Sequence, residues 1–149
     1  MRRSRIKELL DRDSAGGPVL VQGWVKTRRS SKTVTFLQVS DGSTLRDLQV
    51  VVDEALPDYH LVDSLSTGSS VSLEGTLVDS PGRGQKFEVQ ASKLDVLGLA
   101  DPATYPLQKK GHTMEFLREI AHLRPRTNTF GAMARMRNSL AVAVHGFFQ

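Results

Sequence analysis

Short runs of alternating apolar and polar residues cover most of residues 18–98, and clusters of Gly, Pro, Ser and Asp separate them. Such alternation predicts β-strands that bury one face. Turn-forming sequences after the second and fourth runs predict tight connections to the strands that follow. The predicted strands are Val19–Arg28, Thr33–Ser40, Leu48–Asp53, Ser69–Val78 and Phe87–Leu97.

Helical spacing of apolar residues appears between these runs and before them. A short amphipathic helix is predicted at Ile6–Asp11, and another between the third and fourth strands, around Leu61 and Leu65. The order of three strands, a helix and two strands is that of the five-stranded oligonucleotide-binding (OB) barrel. Gly23 and Gly75 lie inside strands, where a small barrel bends sharply. The sequence therefore predicts a mainly β fold with helices.

After Gly98 the pattern changes from strands to helices. Thr113 is expected to cap a short helix, and an amphipathic helix is predicted from Thr129 to Gln149. Because the chain ends inside this helix, we expect it to be a piece of a longer protein. The predicted organisation is an N-terminal helix and loop (1–17), a barrel (18–99), a hinge (100–128) and the start of a second domain (129–149).

Composition excludes several classes of protein. The absence of cysteine rules out disulfides, zinc ribbons and a thiol nucleophile. Apolar runs are too short to span a membrane, and the basic start Met1-Arg-Arg-Ser-Arg is not followed by the apolar core of a signal peptide. The four scattered histidines lack metal-ligand spacing, so we expect no metal site. A cytoplasmic protein is the expectation.

The net charge of +4 is unevenly distributed. Residues 1–40 hold nine basic against three acidic residues, residues 41–106 four against eleven, and residues 107–149 seven against two. The first strand ends in a basic cluster, Phe36 lies on the second strand, and Gln49 lies on the third. Cations along a sheet edge and a ring on its face predict a platform for single-stranded nucleic acid. The alternative is a solvated basic face without a partner. The basic cluster is Lys26, Arg28, Arg29 and Lys32.

Four stretches carry a resemblance to a known family: Gly23-Trp-Val-Lys-Thr-Arg-Arg, Val34-Thr-Phe-Leu, the run from Ser80 to Lys93, and Ala121-His-Leu-Arg-Pro-Arg-Thr-Asn. Together they resemble bacterial asparaginyl-tRNA synthetases, class II enzymes of the aspartyl, asparaginyl and lysyl subgroup. The resemblance implies an OB-fold anticodon-binding domain, a hinge and a truncated class II catalytic domain. The whole enzyme uses asparagine, ATP and Mg²⁺. We expect this chain alone to be inactive and to bind neither ATP nor Mg²⁺, because the ATP-binding motifs of the family lie beyond it.

The resemblance also assigns roles to single residues. Phe36 matches a ring that stacks on the central uridine of the tRNA anticodon, Gln49 a glutamine that hydrogen-bonds that base, and Arg28 an arginine at the anticodon loop of tRNA-Asn. The final helix resembles part of a homodimer interface. The implied interface residues are Phe130, Met133, Met136, Arg137, Leu140 and Val144.

Each of the residues matched to the anticodon also has a simpler interpretation. Phe36 could be a core ring, Gln49 an exposed strand residue and Arg28 a solvated charge. Trp24 is more typical of core packing. The chain as a whole could be a stand-alone single-strand nucleic-acid binder, or an assembly fragment that works through its final helix.

Overall fold

The computed structural model describes residues 2–57, 59–82, 84–108 and 111–149. Five residues lie outside the described ranges. Residue 1 belongs to the predicted N-terminal segment, residue 58 to the predicted inter-strand helix, residue 83 to the predicted turn, and residues 109 and 110 to the predicted linker. The chain divides into two compact units, residues 1–109 and 110–149. The strands are β1 (Pro18–Ser30), β2 (Val34–Ser40), β3 (Leu48–Asp53), β4 (Ser70–Asp79) and β5 (Phe87–Gly98). The helices are α1 (Ile6–Leu10), α2 (Met114–Glu119) and α3 (Asn128–Phe148), with 3-10 helices at Tyr59–Ser64 and Arg124–Arg126.

The five strands close into a barrel in the order β1-β2-β3-β5-β4. Neighbouring strands are antiparallel except for β3 and β5, which run parallel. Alternate residues such as Leu37 and Val39 point inward and are fully buried, so the period-two pattern sets the core. The predicted mainly β, five-stranded OB fold is confirmed, and the helix expected between the third and fourth strands is a 3-10 helix.

The helix α1 joins the barrel core through two fully buried side chains, Ile6 and Leu9. A five-residue helix is not stable alone in water, so it depends on this packing. The β2–β3 loop also fixes its start, because the Ile6 amide donates to Asp41 Oδ2 at 3.0 Å. The Lys7 amide donates to Ser43 Oγ at 3.0 Å. The N-terminal segment is therefore an integral part of the barrel unit.

Two strand glycines lie where backbones approach closely. A Cβ atom on Gly23 would lie 2.6 Å from the Ser40 carbonyl oxygen, and one on Gly75 would lie 2.2 Å from the Gln90 carbonyl oxygen. No side chain fits at either distance, which explains glycine at both positions. The β4–β5 register also shifts between Glu74 and Gly75, as expected for a strand that bends to close a barrel.

Residues that follow β5 also contact the barrel. The Ala100 amide donates to Ser69 Oγ at 3.2 Å, and Ser66 Oγ donates to the Ala100 carbonyl. The Tyr105 ring lies against Gly68, whose φ of +96° and lack of a Cβ permit this contact. These contacts hold Ala100 and Tyr105 against the barrel, and the first compact unit comprises residues 1–109.

The second unit contains α2 and α3. Thr113 caps α2, since its hydroxyl accepts a hydrogen bond from the Phe116 amide at 3.2 Å, as the sequence predicted. Thr127 caps α3 in the same way, accepting from the Phe130 amide at 3.4 Å. The cap places the start of α3 at Asn128, one residue before the predicted start. None of the helices in the described ranges is long and apolar enough to cross a membrane.

Candidate nucleic-acid interface on the outer face of the barrel

Phe36 lies on the outer face of β2 and is only half-buried. Its neighbours Thr35 and Leu37 point inward and are fully buried. In the register of the sheet, Phe36 pairs with Arg29 of β1 on one side and with Val51 of β3 on the other. Phe36 is therefore not a core ring, and the alternative that it fills the barrel interior is wrong.

A cation lies over the Phe36 ring. The guanidinium carbon of Arg29 is 5.0 Å from the ring centroid. A cation at this distance is attracted by the electrons of the ring face. A base that stacks on the face beneath Arg29 must therefore first displace that side chain.

Gln49 lies one row away from Phe36 on the same outer face, paired in register with Gln38 of β2 and Glu88 of β5. Gln49 Nε2 donates to Glu88 Oε2 at 2.9 Å, and Gln49 Oε1 accepts from Gln38 Nε2 at 3.3 Å. The side-chain amide is thus held from both sides. It retains one N–H donor and one oxygen lone pair for a ligand.

Glu88 is the buried residue of this row of polar side chains, with 4% of its surface exposed. Besides Gln49, its Oε2 accepts from Ser80 Oγ at 2.9 Å and from Gln85 Nε2 at 3.3 Å, while Oε1 lies 3.5 Å from Gln90 Nε2. Several donors satisfy the buried carboxylate, which is the condition for burying it at tolerable cost. Sequence reasoning missed Glu88 and Gln38, although strand alternation placed both on the outer face.

Arg28 does not lie beside Phe36 in this structure. A β-bulge between Val25 and Thr27 inserts one residue into β1, so that Arg29, rather than Arg28, pairs with Phe36. Arg28 pairs with inward-facing Leu37 instead. Its Nη1 donates to the Val62 carbonyl at 2.8 Å and to Asp63 Oδ1 at 3.2 Å. Arg28 therefore anchors the 3-10 helix at Tyr59–Ser64.

The remaining cations of the basic cluster differ in their surroundings. Lys26, at the bulge, lies with its Nζ 3.0 Å from Asp47 Oδ1. Burial raises the pKa of Asp47, and the nearby Lys26 ammonium offsets part of that effect. Lys32 is exposed in the loop between β1 and β2. Arg29 and Lys32 are thus the members of the cluster best placed to meet phosphates, since Lys26 and Arg28 already hold carboxylates.

Trp24 is 40% exposed on the outer face of β1. The expectation that it packs in the core is wrong, because the inward positions next to it along the strand belong to Gly23 and to fully buried Val25. In the register, Trp24 pairs with Ser40 of β2 and with Ser70 of β4. Both register partners of this large ring are therefore small, and the ring lies on the same barrel that carries Phe36.

The residues assigned to a dimer interface lie on α3 in the second unit. The Phe130 ring lies under Arg124, whose guanidinium carbon is 4.8 Å from the ring centroid. Met133, Met136, Leu140 and Val144 are each more than half exposed. With exposed Arg137 they follow one side of the helix at spacings of three, four and seven residues. This unit thus presents an apolar stripe with one charge in it.

Metal ligation finds no support in the described part of the chain. There, no group of three or more His, Asp or Glu side chains could hold a metal ion. His60 lies in the 3-10 helix after β3, and His145 lies near the end of α3. The outer face of the barrel offers hydrogen bonds, aromatic rings and cations, which are groups that proteins use to bind RNA.

Proteins of known sequence are similar to almost the whole chain. It is 53% identical over 148 residues to the asparagine–tRNA ligase of Parabacteroides distasonis, covering 99% of this chain and 32% of the relative. It is 56% identical over 146 residues to that of Bacteroides fragilis, covering 98% of this chain and 31% of the relative. The chain thus spans about a third of the length of the curated relatives it matches.

Solved structures share the fold. An asparaginyl-tRNA synthetase from Pyrococcus horikoshii, complexed with asparaginyl-adenylate, superposes with a TM-score of 0.86 at 22% identity. The match covers 99% of this chain and 34% of that one. The family model described as an OB-fold nucleic acid binding domain matches residues 19–97, which are the residues that form the barrel. The chain therefore belongs to the family of OB-fold nucleic acid binding domains.

Proposed function

We propose that the outer face of β1, β2 and β3 binds the anticodon loop of a tRNA, and that this chain is the anticodon-binding part of an asparagine–tRNA ligase. The observation that carries the proposal is the half-exposed Phe36 ring beside the hydrogen-bonded row Gln38, Gln49 and Glu88. Single-stranded RNA is recognised by such pairs of features, a ring that stacks a base and a polar group that reads its edge. The identity to asparagine–tRNA ligases supports the choice of RNA.

The row of polar residues supports the selection of one base. Stacking on Phe36 contributes ~1–3 kcal/mol but is tolerant of sequence. The free lone pair and the free N–H of Gln49 match the N3–H of uridine and a neighbouring carbonyl oxygen. Cytidine presents an acceptor at N3 and an amino group at C4, which would require the reversed amide. The Glu88 carboxylate only accepts hydrogen bonds, so it keeps Nε2 on its own side and opposes that reversal.

The cations supply the part of the binding that depends on salt. Arg29 and Lys32 are proposed to contact phosphates directly. Arg28 and Lys26 border the same face and could exchange their present carboxylate partners, Asp63 and Asp47, for phosphates. Each phosphate contact makes the affinity fall more steeply as salt rises, because bound counterions are released when the complex forms.

The catalytic reaction is proposed for the longer protein. The identity to asparagine–tRNA ligases supports the use of asparagine and ATP. Mg²⁺ on the phosphates is part of the same proposal. The apolar stripe of α3 is proposed to be part of a homodimer interface, since exposed apolar side chains at helical spacing favour burial against a partner. A cytoplasmic location would follow from this function.

Titration of the chain with RNA stem-loops tests the proposal. The stem-loop carrying the asparagine anticodon should bind, and the same stem-loop with cytidine at the central position should bind more weakly. Equal binding of both would contradict anticodon reading and favour a stand-alone single-strand binder. Absence of binding to either would reject an RNA-binding role for the barrel.

A further inference from the structure

Trp24 is the only tryptophan in the chain, and 40% of its surface is exposed. An indole ring is a large apolar surface, and burying it is normally a major contribution to a core. With 40% of its surface exposed on the outer face, this ring does not contribute to the barrel interior in that way.

The register of the sheet places this ring on the same face as Phe36. Trp24 pairs with Ser40, and Ser40 lies four residues along β2 from Phe36 with the same outward orientation. Four residues of a strand span about 13 Å. The row that contains Gln38 and Gln49 lies between the two rings. The barrel thus carries two aromatic rings on one surface, with the base-reading amide between them.

The register partners of Trp24 explain how so much of the ring remains exposed. Both Ser40 and Ser70 have side chains too small to enclose an indole. An exposed ring with small register partners leaves a flat surface on which a base can stack.

We propose that Trp24 is a second stacking platform, on which another nucleotide of the same RNA strand stacks when one base lies on Phe36. Proteins that bind single strands use several aromatic rings on which successive bases stack, together with cations that follow the backbone. The proposal rests on the proposed function, because it requires RNA on the Phe36 face. It extends the binding surface beyond the base that Gln49 contacts, toward the β1–β4 side of the barrel.

The single tryptophan makes the test direct. Titration of the chain with the asparagine-anticodon stem-loop should quench the intrinsic fluorescence of Trp24, while the anisotropy of a dye on the RNA reports binding independently. Trp24→Ala should weaken binding roughly 5- to 150-fold, the range that loss of one stacked base produces. Trp24→Phe keeps a ring and should stay within about threefold of the wild type. Leu45→Ala, which removes an equally exposed side chain in the β2–β3 loop, should leave binding unchanged.

The outcomes separate this proposal from the proposed function. If RNA binds but the fluorescence is unchanged and Trp24→Ala binds as well as the wild type, the second platform is rejected and anticodon binding stands. Quenching without any loss of affinity in Trp24→Ala would also reject the platform. If no RNA binds to a folded chain, as judged by circular dichroism, both proposals fall.

Discussion

Gln49 and Glu88 face each other across the parallel β3–β5 ladder, and the Gln49 amide nitrogen donates to Glu88 Oε2 at 2.9 Å. A carboxylate offers only acceptors, so this bond fixes which end of the Gln49 amide is the donor on that side. Gln38 completes the arrangement by donating to the other end. The orientation of the Gln49 side-chain amide is thus set by its two neighbours within the barrel.

Glu88→Gln should weaken the choice between bases. A glutamine at position 88 both donates and accepts, so the Gln49 amide can reverse and accommodate a central cytidine. A fixed base contact discriminates by ~1–3 kcal/mol, on the scale of duplex readout, and most of that preference for uridine should disappear. Paired titrations with uridine and cytidine stem-loops measure the ratio of the two dissociation constants. Glu74→Gln on the outer face of β4 makes the same change of charge and should keep the preference for uridine. An undiminished preference for uridine in Glu88→Gln would contradict the orienting role of Glu88.

When RNA affinity is plotted against salt concentration, the curve of Arg29→Ala should cross that of the wild type. The wild type must lift Arg29 from the Phe36 ring, at a cost of ~0.5–1 kcal/mol for an exposed cation–ring contact, before it gains a phosphate contact. The variant loses about one unit of salt slope but has an open ring. It should therefore bind more weakly at low salt and as well or better at high salt. Lys32→Ala is the matched control, which should lose salt slope without gaining affinity at high salt. If the curves of Arg29→Ala and the wild type do not cross, the Arg29 guanidinium does not block stacking on Phe36.

Arg28→Ala should loosen the 3-10 helix that follows β3. The lost hydrogen bond to the Val62 carbonyl is expected to reduce the free energy of unfolding by ~1 kcal/mol, since a charged donor is removed from a partly exposed site. Hydrogen exchange of amides 59–65 should quicken. Asp63→Ala removes only the ion pair with a 78% exposed carboxylate and should have little effect. Equal exchange in Arg28→Ala and the wild type would argue that the arginine does not anchor this helix.

Asp41→Asn tests how the N-terminal helix is held. Burial alone would raise the pKa of Asp41, but hydrogen bonds from Ser43 and the Ile6 amide, with Arg3 nearby, outweigh it and lower that pKa. A lowered pKa means stability that is present above the ordinary aspartate pKa of about 3.9 and lost as the pH falls through the folded-state pKa.

At neutral pH, Asp41→Asn should therefore cost ~1–2 kcal/mol in the free energy of unfolding, and the difference from the wild type should shrink below about pH 4. Urea unfolding of both proteins at several pH values measures this difference in the free energy of unfolding. Asp13→Asn, which removes an exposed carboxylate of the same segment, should stay within about 0.5 kcal/mol of the wild type. A difference that is constant with pH would exclude the Asp41 charge as its source.

The sequence predicted the strands well because a period of two is a local property, visible for example in buried Leu37 and Val39 around outward Gln38. It could not predict that Glu88 meets Gln49, since the pairing of β3 with β5 joins residues far apart in the chain. The bulge in β1 was equally invisible. One inserted residue in β1 pairs Arg29, rather than Arg28, with Phe36. Trp24 shows the remaining limit, because composition alone favours a buried indole.

Phe36 is proposed to supply affinity, and Gln49 the choice of base. Binding of uridine and cytidine stem-loops to the wild type, Phe36→Ala and Gln49→Ala tests this division most directly, with Phe147→Ala on exposed α3 as a control for loss of an apolar ring. Phe36→Ala should weaken both RNAs alike, by ~1–3 kcal/mol. Gln49→Ala should bind both RNAs with nearly equal affinity. Retention of the full uridine preference by Gln49→Ala would contradict the proposed division.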